Sequence, residues 1–190
     1  MEGVGLAGPY PDDVITAVDV ALVDAGVLAA SGYRNAPRTD PRNGQEFTTL
    51  VALAEDGHAV GQLEGHLDDA THPLDDMRLS RPHAWISFIS TTHRRAGAGR
   101  ALMREFARRA HEAGATGIGL LAEYSDDRTG RITFFIRCGF TEAWPGTLRD
   151  IYVASPRAVL AACTRRSEQP SPSHGATKER RGVPGAARRR

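Results

Sequence analysis

Arg94-x-x-Gly97-x-Gly99 is the stretch whose residue types and spacing point most directly to chemistry. It lies within His93-Arg94-Arg95-Ala96-Gly97-Ala98-Gly99-Arg100-Ala101-Leu102-Met103, between an apolar run, Trp85 to Ile89, and a strongly periodic segment beginning near Gly99. A glycine-bearing turn from strand to helix leaves backbone N–H groups facing outward, and the helix dipole adds partial positive charge there. Such a turn can hold a pyrophosphate, with flanking arginines adding charge-assisted hydrogen bonds. Two other phosphate loops fit less well. A dinucleotide fingerprint needs a third glycine or alanine three positions after Gly99, where Leu102 stands. A P-loop needs Gly-Lys-Ser/Thr, whereas the only lysine of the chain is Lys178. Taken alone, the segment also reads as an ordinary turn in which two glycines relieve crowding ahead of an amphipathic helix.

The other reactive side chains are scattered. Cys138 and Cys163 are isolated, without a CxxC pair, and read as buried or incidental thiols in a reducing cytoplasm. The seven histidines form no HExxH pattern. Asp68-Asp69 and Asp75-Asp76 lack the glycine-punctuated spacing of a calcium loop, so no metal site is expected. That stretch reads as a solvated acidic loop, the alternative being that it helps attract a cationic acceptor. No GxSxG elbow points to a serine hydrolase.

The elements that must position these residues form a mixed α/β sequence. Val14 to Val18 reads as a strand and Asp19 to Ser31 as a helical region, with Pro37 to Gly44 rich in turn residues. Phe47 to Ala54 and Ala59 to Leu67 are β-like runs joined by Glu55-Asp56-Gly57-His58, a hairpin signal because Asp-Gly suits positive φ. Asp68 to Pro82 is a polar loop, and Trp85 to Ile89 the next strand. In the helix that follows, Leu102, Phe106, Ala110 and Ala113 recur at helical spacing, with Arg100, Arg104, Arg108 and Glu112 on the other side. Glu105 and Arg109 form an i,i+4 pair there, and Gly114 supplies the stop. Ile118 to Tyr124 is apolar enough for a strand buried on both faces. A helix from about Thr129 to Arg137 ends at Cys138-Gly139-Phe140, Leu148 to Val153 is a late strand, and Pro156 to Cys163 a closing helix with proline in its first turn.

The chain of 190 residues, 41% apolar, suffices for one core, expected over residues 1–163. Residues 164–190 are dominated by Ser, Pro, Gly, Arg and Gln and read as a disordered basic tail. Eight Arg and Lys face two Glu in that tail, a net +6, so the remainder carries −5 against the total of +1. An acidic body favours a cationic small substrate and disfavours nucleic acid. The terminal Arg188-Arg189-Arg190 reads as solvated rather than as a nucleic-acid or membrane contact, since its charges lack a helical face or aromatic interleaving. No run of about 18 apolar residues is present to span a membrane. The opening Met1-Glu2-Gly3 shows no basic-then-apolar leader pattern, and a cytoplasmic protein is expected.

The order strand, glycine loop, helix, strand, helix ending in Gly-Phe resembles the core of the GNAT superfamily of N-acetyltransferases. Arg94-x-x-Gly97-x-Gly99 resembles that family's acetyl-CoA pyrophosphate loop. Phe134-Phe135-Ile136-Arg137-Cys138-Gly139-Phe140 keeps its spacing of an aromatic pair, three residues and Gly-Phe. The resemblance covers roughly residues 47 to 153 and is sharpest over 85–140. It implies a mixed, mostly antiparallel sheet with central splayed parallel strands, Trp85–Ile89 and Ile118–Tyr124, flanked by helices. It further implies direct transfer of acetyl from acetyl-CoA, as co-substrate, to an amine of a small molecule or peptide. Two alternatives stay open: a non-catalytic acyl-CoA-binding regulatory module, and an acetyltransferase acting on a protein or RNA partner tethered by the basic tail. Dimers are common in the family, so a homodimer is compatible with the resemblance.

Carried over residue by residue, the resemblance places the pantetheine on backbone around Ile89 and Ser90. The pyrophosphate falls on the amides of Arg95, Ala96, Gly97, Ala98, Gly99 and Arg100, with Arg94 as the opening basic residue. A Cβ at Gly97 or Gly99 would obstruct close backbone approach. Arg100 either adds a salt bridge to phosphate or is a solvated helix residue. Phe135 belongs to the cofactor site, in a place where many members carry a tyrosine that protonates the departing thiolate; it has no proton to give. Tyr124 and water are the substitutes. Arg128 and Arg131, which replace the family's frequent asparagine and small alanine, contact CoA phosphates or stand in solvent. An alkyl amine has a pKa near ~10.4 and must lose a proton to attack. Glu123, near the end of the splayed strand, is the first candidate base, beside His83 and His93; Glu64 and His66 are candidates to line the acceptor side. Neither cysteine is needed for direct transfer.

Overall fold

The computed structural model describes residues 14–33, 39, 41, 44–67, 82–92, 96–122, 127–145 and 150–164. Its strands are β1 (Thr16–Asp19), β2 (Thr48–Leu53), β3 (Ala59–His66), β4 (His83–Thr91), β5 (Gly117–Leu121), β6 (Thr141–Glu142) and β7 (Ile151–Ala154). The helices are α1 (Ala25–Ala30), α2 (Ala98–Glu112), α3 (Arg128–Arg137) and α4 (Pro156–Thr164), with a 3-10 turn over Val20–Leu22. The helical region expected between Asp19 and Ser31 is thus split in two. The cause is capping: Asp19 accepts from Ala21 N at 3.0 Å, and Asp24 accepts from Gly26 N at 2.7 Å, so each aspartate starts its own short element.

The strands form one sheet in the order β1-β2-β3-β4-β5-β7-β6. Every pairing is antiparallel except that of β4 with β5, the parallel pair expected of Trp85–Ile89 and Ile118–Tyr124. The fold is the expected one, a mostly antiparallel GNAT-like sheet flanked by helices. The β2–β3 hairpin turns at Gly57, whose φ of 83° only glycine adopts without strain. Around it, Gly57 N donates to Ala54 O at 2.9 Å and Ala54 N to His58 O at 3.0 Å.

The 3.6-residue period of α2 does what its pattern predicts as far as Ala110, while Ala113, read as part of the apolar stripe, is the exposed C-cap. Ala101, Leu102, Met103, Phe106, Ala107 and Ala110 are buried, while Arg104 and Arg108 face solvent. The apolar stripe packs on Leu50, Ala52, Leu63, Ala84, Ile86, Ile118 and Leu120, which share one sheet face, and Val159 and Cys163 of α4 complete that core. On the second face, Val20 and Leu28 cover Val51 and Ala59, and Trp85 packs with Ile151 and Val153.

One strand is corrected and one is added. The strand read as Ile118–Tyr124, buried on both faces, ends at Leu121, which is 54% exposed. Its ladder partners run out there, since β4 leaves it after Leu120 and β7 begins opposite Leu121. The two-residue β6, too short to carry a sequence pattern, adds the outer strand beyond β7. Among the described residues no helix is long and apolar enough to cross a membrane.

Candidate functional site

The site begins with one extra residue in β4. Glu64 of β3 faces Phe88, but the next residue, Gly65, faces Ile86, so Ser87 has no opposite number. A bulge of this kind bends the strand and strengthens its twist. Gly65 belongs to the same irregularity, because a Cβ there would lie 2.4 Å from Trp85 O and 2.9 Å from the Phe106 ring. Pairing of β4 with β5 runs from His83↔Gly117 to Ile86↔Leu120 and stops at the bulge. β4 nevertheless stays paired to β3 as far as Thr91. Past Ile86 the two parallel strands are therefore split, and Ile89 and Ser90 lie on the stretch of β4 that has left β5.

The head of α2 lies beside the end of β4, where a Cβ on Gly99 would come 3.7 Å from Thr91 Cγ2. Gly97 is the N-cap of α2, with φ of 89°, and among the described residues no side chain caps the helix. In a helix of 15 residues the first backbone N–H groups then present donors and the positive end of the dipole to an anion. Ala96 and Ala98 are buried, whereas Gly97, Gly99 and Arg100 are partly exposed. A Cβ on Gly99 would meet Phe134 Cζ at 3.1 Å. Gly99 is accordingly needed for packing against α3, rather than only for ligand approach as the spacing suggested. Gly97 is needed for its backbone conformation.

Of the aromatic pair, Phe134 is the residue against the helix head. Phe135 is turned into the core, its ring centroid 5.4 Å from Phe134 and 6.2 Å from Phe140. Arg100 lies near enough to Cys138 for its charge to favour the thiolate form. That influence is outweighed. A hydrogen bond with Cys163, followed by burial, holds the Cys138 thiol far above its ordinary range. The two cysteines, distant in sequence, are thus neighbours in the core.

Arg128, although its side chain is 44% exposed, is held by a buried partner. Its Nε donates to Asp150 Oδ2 at 3.0 Å and its Nη2 donates to Oδ1, a bidentate pair on a carboxylate that is 2% exposed. The backbone carbonyl of Asp150 accepts from Ala122 N at 2.8 Å. This ion pair therefore ties the first turn of α3 to the ends of β5 and β7, beside the split. Neither Ser87 nor Asp150 could be singled out from sequence, because a bulge and an ion pair each need a distant partner to be recognised. Arg131 is exposed as well.

On the second sheet face, Gln62, Glu64 and His66 of β3 form a buried polar row, and His83 of β4 is buried as well. Gln62 Nε2 donates to Glu64 Oε1 at 2.9 Å, and Phe47 stacks on His66 with centroids 4.3 Å apart. Both Glu64 and His66, expected to line an acceptor side, thus lie deep in this face rather than at its surface. His93, Arg94, Arg95, Glu123 and Tyr124 fall outside the described residues, as does most of the Asp68–Pro82 loop and all but the start of the basic tail. Among the described residues no group of three His, Cys, Asp or Glu comes together to hold a metal.

Among solved structures, nourseothricin acetyltransferase is 23% identical, the match covering 56% of this chain and 64% of that one, with a TM-score of 0.38. The PaiA N-acetyltransferase from Thermoplasma acidophilum, in complex with coenzyme A, is 16% identical over 60% of this chain and 64% of that one, at 0.41. A GCN5-related N-acetyltransferase from Kribbella flavida is 18% identical over 76% and 99%, at 0.49. The match spans just under two thirds of the length of the first two of these proteins. No curated protein matches the sequence. A family model described as the acetyltransferase (GNAT) family matches residues 27–140, well over half of the chain, and takes in the split, the glycine loop and Phe134–Phe140. By that match this chain belongs to the GNAT acetyltransferase family.

Proposed function

We propose that the protein is an N-acetyltransferase that moves acetyl from acetyl-CoA directly to an amine of a small molecule or peptide. The observation that carries this reading is the split between β4 and β5 opening beside the head of α2. The residues present fit the co-substrate. Backbone N–H groups at the start of α2 suit a pyrophosphate, and the unshared stretch of β4 suits a pantetheine amide. Ile89 and Ser90 would hold the arm, and the amides from Arg95 to Arg100, with Arg94, the phosphates. When bound, acetyl-CoA supplies a thioester: the amine nitrogen bonds to its carbonyl carbon while the C–S bond breaks and CoA leaves as the thiol.

The chain's own part is to bind, orient and move protons. Glu123 is the candidate to take the amine proton, and Tyr124 or water to supply one to the leaving sulfur. Phe135 is buried and has no ionisable proton, which favours a second reading, acyl-CoA binding without transfer.

Calorimetric titration of the full chain with acetyl-CoA, paired with a thiol-release assay over an amine panel, tests both. At φ of 89° a β-carbon costs about 1–2 kcal/mol, so Gly97→Ala distorts the helix head. Affinity for acetyl-CoA should fall about tenfold or more. Unchanged affinity in a folded Gly97→Ala protein overturns the loop assignment. Binding without thiol release from any amine overturns catalysis in favour of the second reading.

A further inference from the structure

Phe88 and Leu121 are large apolar side chains left 43% and 54% exposed. Ile86, Ile89 and Leu120 all join the core beneath α2. With alternation reset by the bulge at Ser87, Phe88, next to Ile89, and Leu121, next to Leu120, turn to the opposite face of the sheet. They flank the split, two residues beyond Ile86 and one beyond Leu120, the last residues that pair β4 with β5. Leu121 pairs with Ile151, which packs with Val153 on Trp85 of the same face. An apolar strip thus crosses the strand ends where the split opens. Across β3, the partner of Phe88 is Glu64, a buried carboxyl held by Gln62.

We propose that the acceptor is a primary amine carried on an aromatic or branched aliphatic arm, with the arm lying on Phe88 and Leu121. The inference rests on the acetyl-transfer reading and names its substrate class. Size and charge both select a small molecule. One aromatic side chain buries about 150–250 Å², comparable to what two such exposed residues can cover, whereas a stable protein interface takes roughly 800 Å² from each partner. Outside the basic tail the chain carries a net charge of −5, which favours a cation.

The test uses the full chain saturated with CoA and titrated calorimetrically with four amines: 2-phenylethylamine, 3-methylbutylamine, putrescine and 2-aminoethanol. Thiol release from acetyl-CoA is followed separately. The first two amines should bind at least ~10-fold more tightly than the last two, the scale of discrimination available to an apolar contact. Phe88→Ser and Leu121→Ser, both at exposed positions, should each weaken 2-phenylethylamine several-fold and leave acetyl-CoA affinity and the melting temperature unchanged. Tighter binding of the polar amines, no binding of 2-phenylethylamine, or indifference to both substitutions overturns the proposal. A dimer that Leu121→Ser dissolves also overturns it, since a second copy would then occupy the strip. Apolar amines that bind without thiol release sustain the strip and refute transfer. Thiol release that prefers polar amines does the reverse.

Discussion

Cys138 shows how far a residue's chemistry depends on neighbours that its sequence does not reveal. Read alone it is an isolated thiol; in the fold it is buried and hydrogen-bonded to Cys163. Both effects raise its pKa, so the protonated form persists through neutral pH and no nucleophilic thiolate is available. Native protein treated with iodoacetamide at neutral pH should stay unmodified at Cys138 by mass spectrometry. Labelling should appear only when denaturant unfolds the chain, and rapid labelling of the native protein would refute the assignment. The glycines and phenylalanines of the site carry the same lesson. Gly97 and Gly99 were legible as a pair, but only the fold separates their reasons, positive φ for one and contact with Phe134 for the other. Phe134 and Phe135 were equally legible as an aromatic pair. Which of them faces the helix head is a matter of helix rotation about its axis, set by the core.

At the scale of elements, α2 was the most legible part of the chain because its apolar period and its charge pairs are both local. Glu105 accepts from Arg108 Nε at 2.8 Å and from Arg109 Nε at 2.9 Å, while Arg109 reaches Asp19 at 3.1 Å and so ties α2 to the end of β1. Hydrogen bonding to Arg108, with Arg109 adding to it, holds the Glu105 carboxyl below its ordinary range. A depressed folded-state pKa contributes stability that is present above the unfolded value and lost as pH falls through the folded one. Glu105→Gln should therefore cost about 0.5–1 kcal/mol at pH 7, a modest figure because the pairs are partly solvated. The difference should shrink once the pH drops below the usual carboxylate range near ~4.3. Urea denaturation of both proteins at neutral and acidic pH measures it. An equal gap at both would show that packing, not charge, is responsible. β5 was less legible. Its apolar run continues past the point where hydrogen-bonding partners end, and a strand stops where its ladder stops.

For the whole molecule, the Arg128–Asp150 pair is the tie whose loss should be felt beyond its own position. It joins residues 22 apart in sequence and fastens α3 to the strand ends that border the split. Breaking it leaves a buried carboxylate. A fully buried pair costs roughly 3–5 kcal/mol to break. Arg128 is itself 44% exposed, so Arg128→Ala should cost less, about 2 kcal/mol. Thermal melts should show a drop of several degrees, with Arg128→Lys recovering only part because it cannot make the bidentate contact. A melting temperature unchanged in Arg128→Ala would remove the pair from the account. By itself the sequence determined the elements whose signals are short-range: the Asp56-Gly57 hairpin, the amphipathic α2, the glycine loop ahead of it and the Gly-Phe end of α3. Those signals are intrinsic to a few neighbouring residues, and their order along the chain carried the family. Only tertiary structure decided that β4 bulges at Ser87 and parts from β5, that Arg128 meets Asp150, and that Phe88 and Leu121 emerge on one face beside Glu64. Register and pairing are properties of two segments at once, and neither segment alone records which partner the folded core will bring to it.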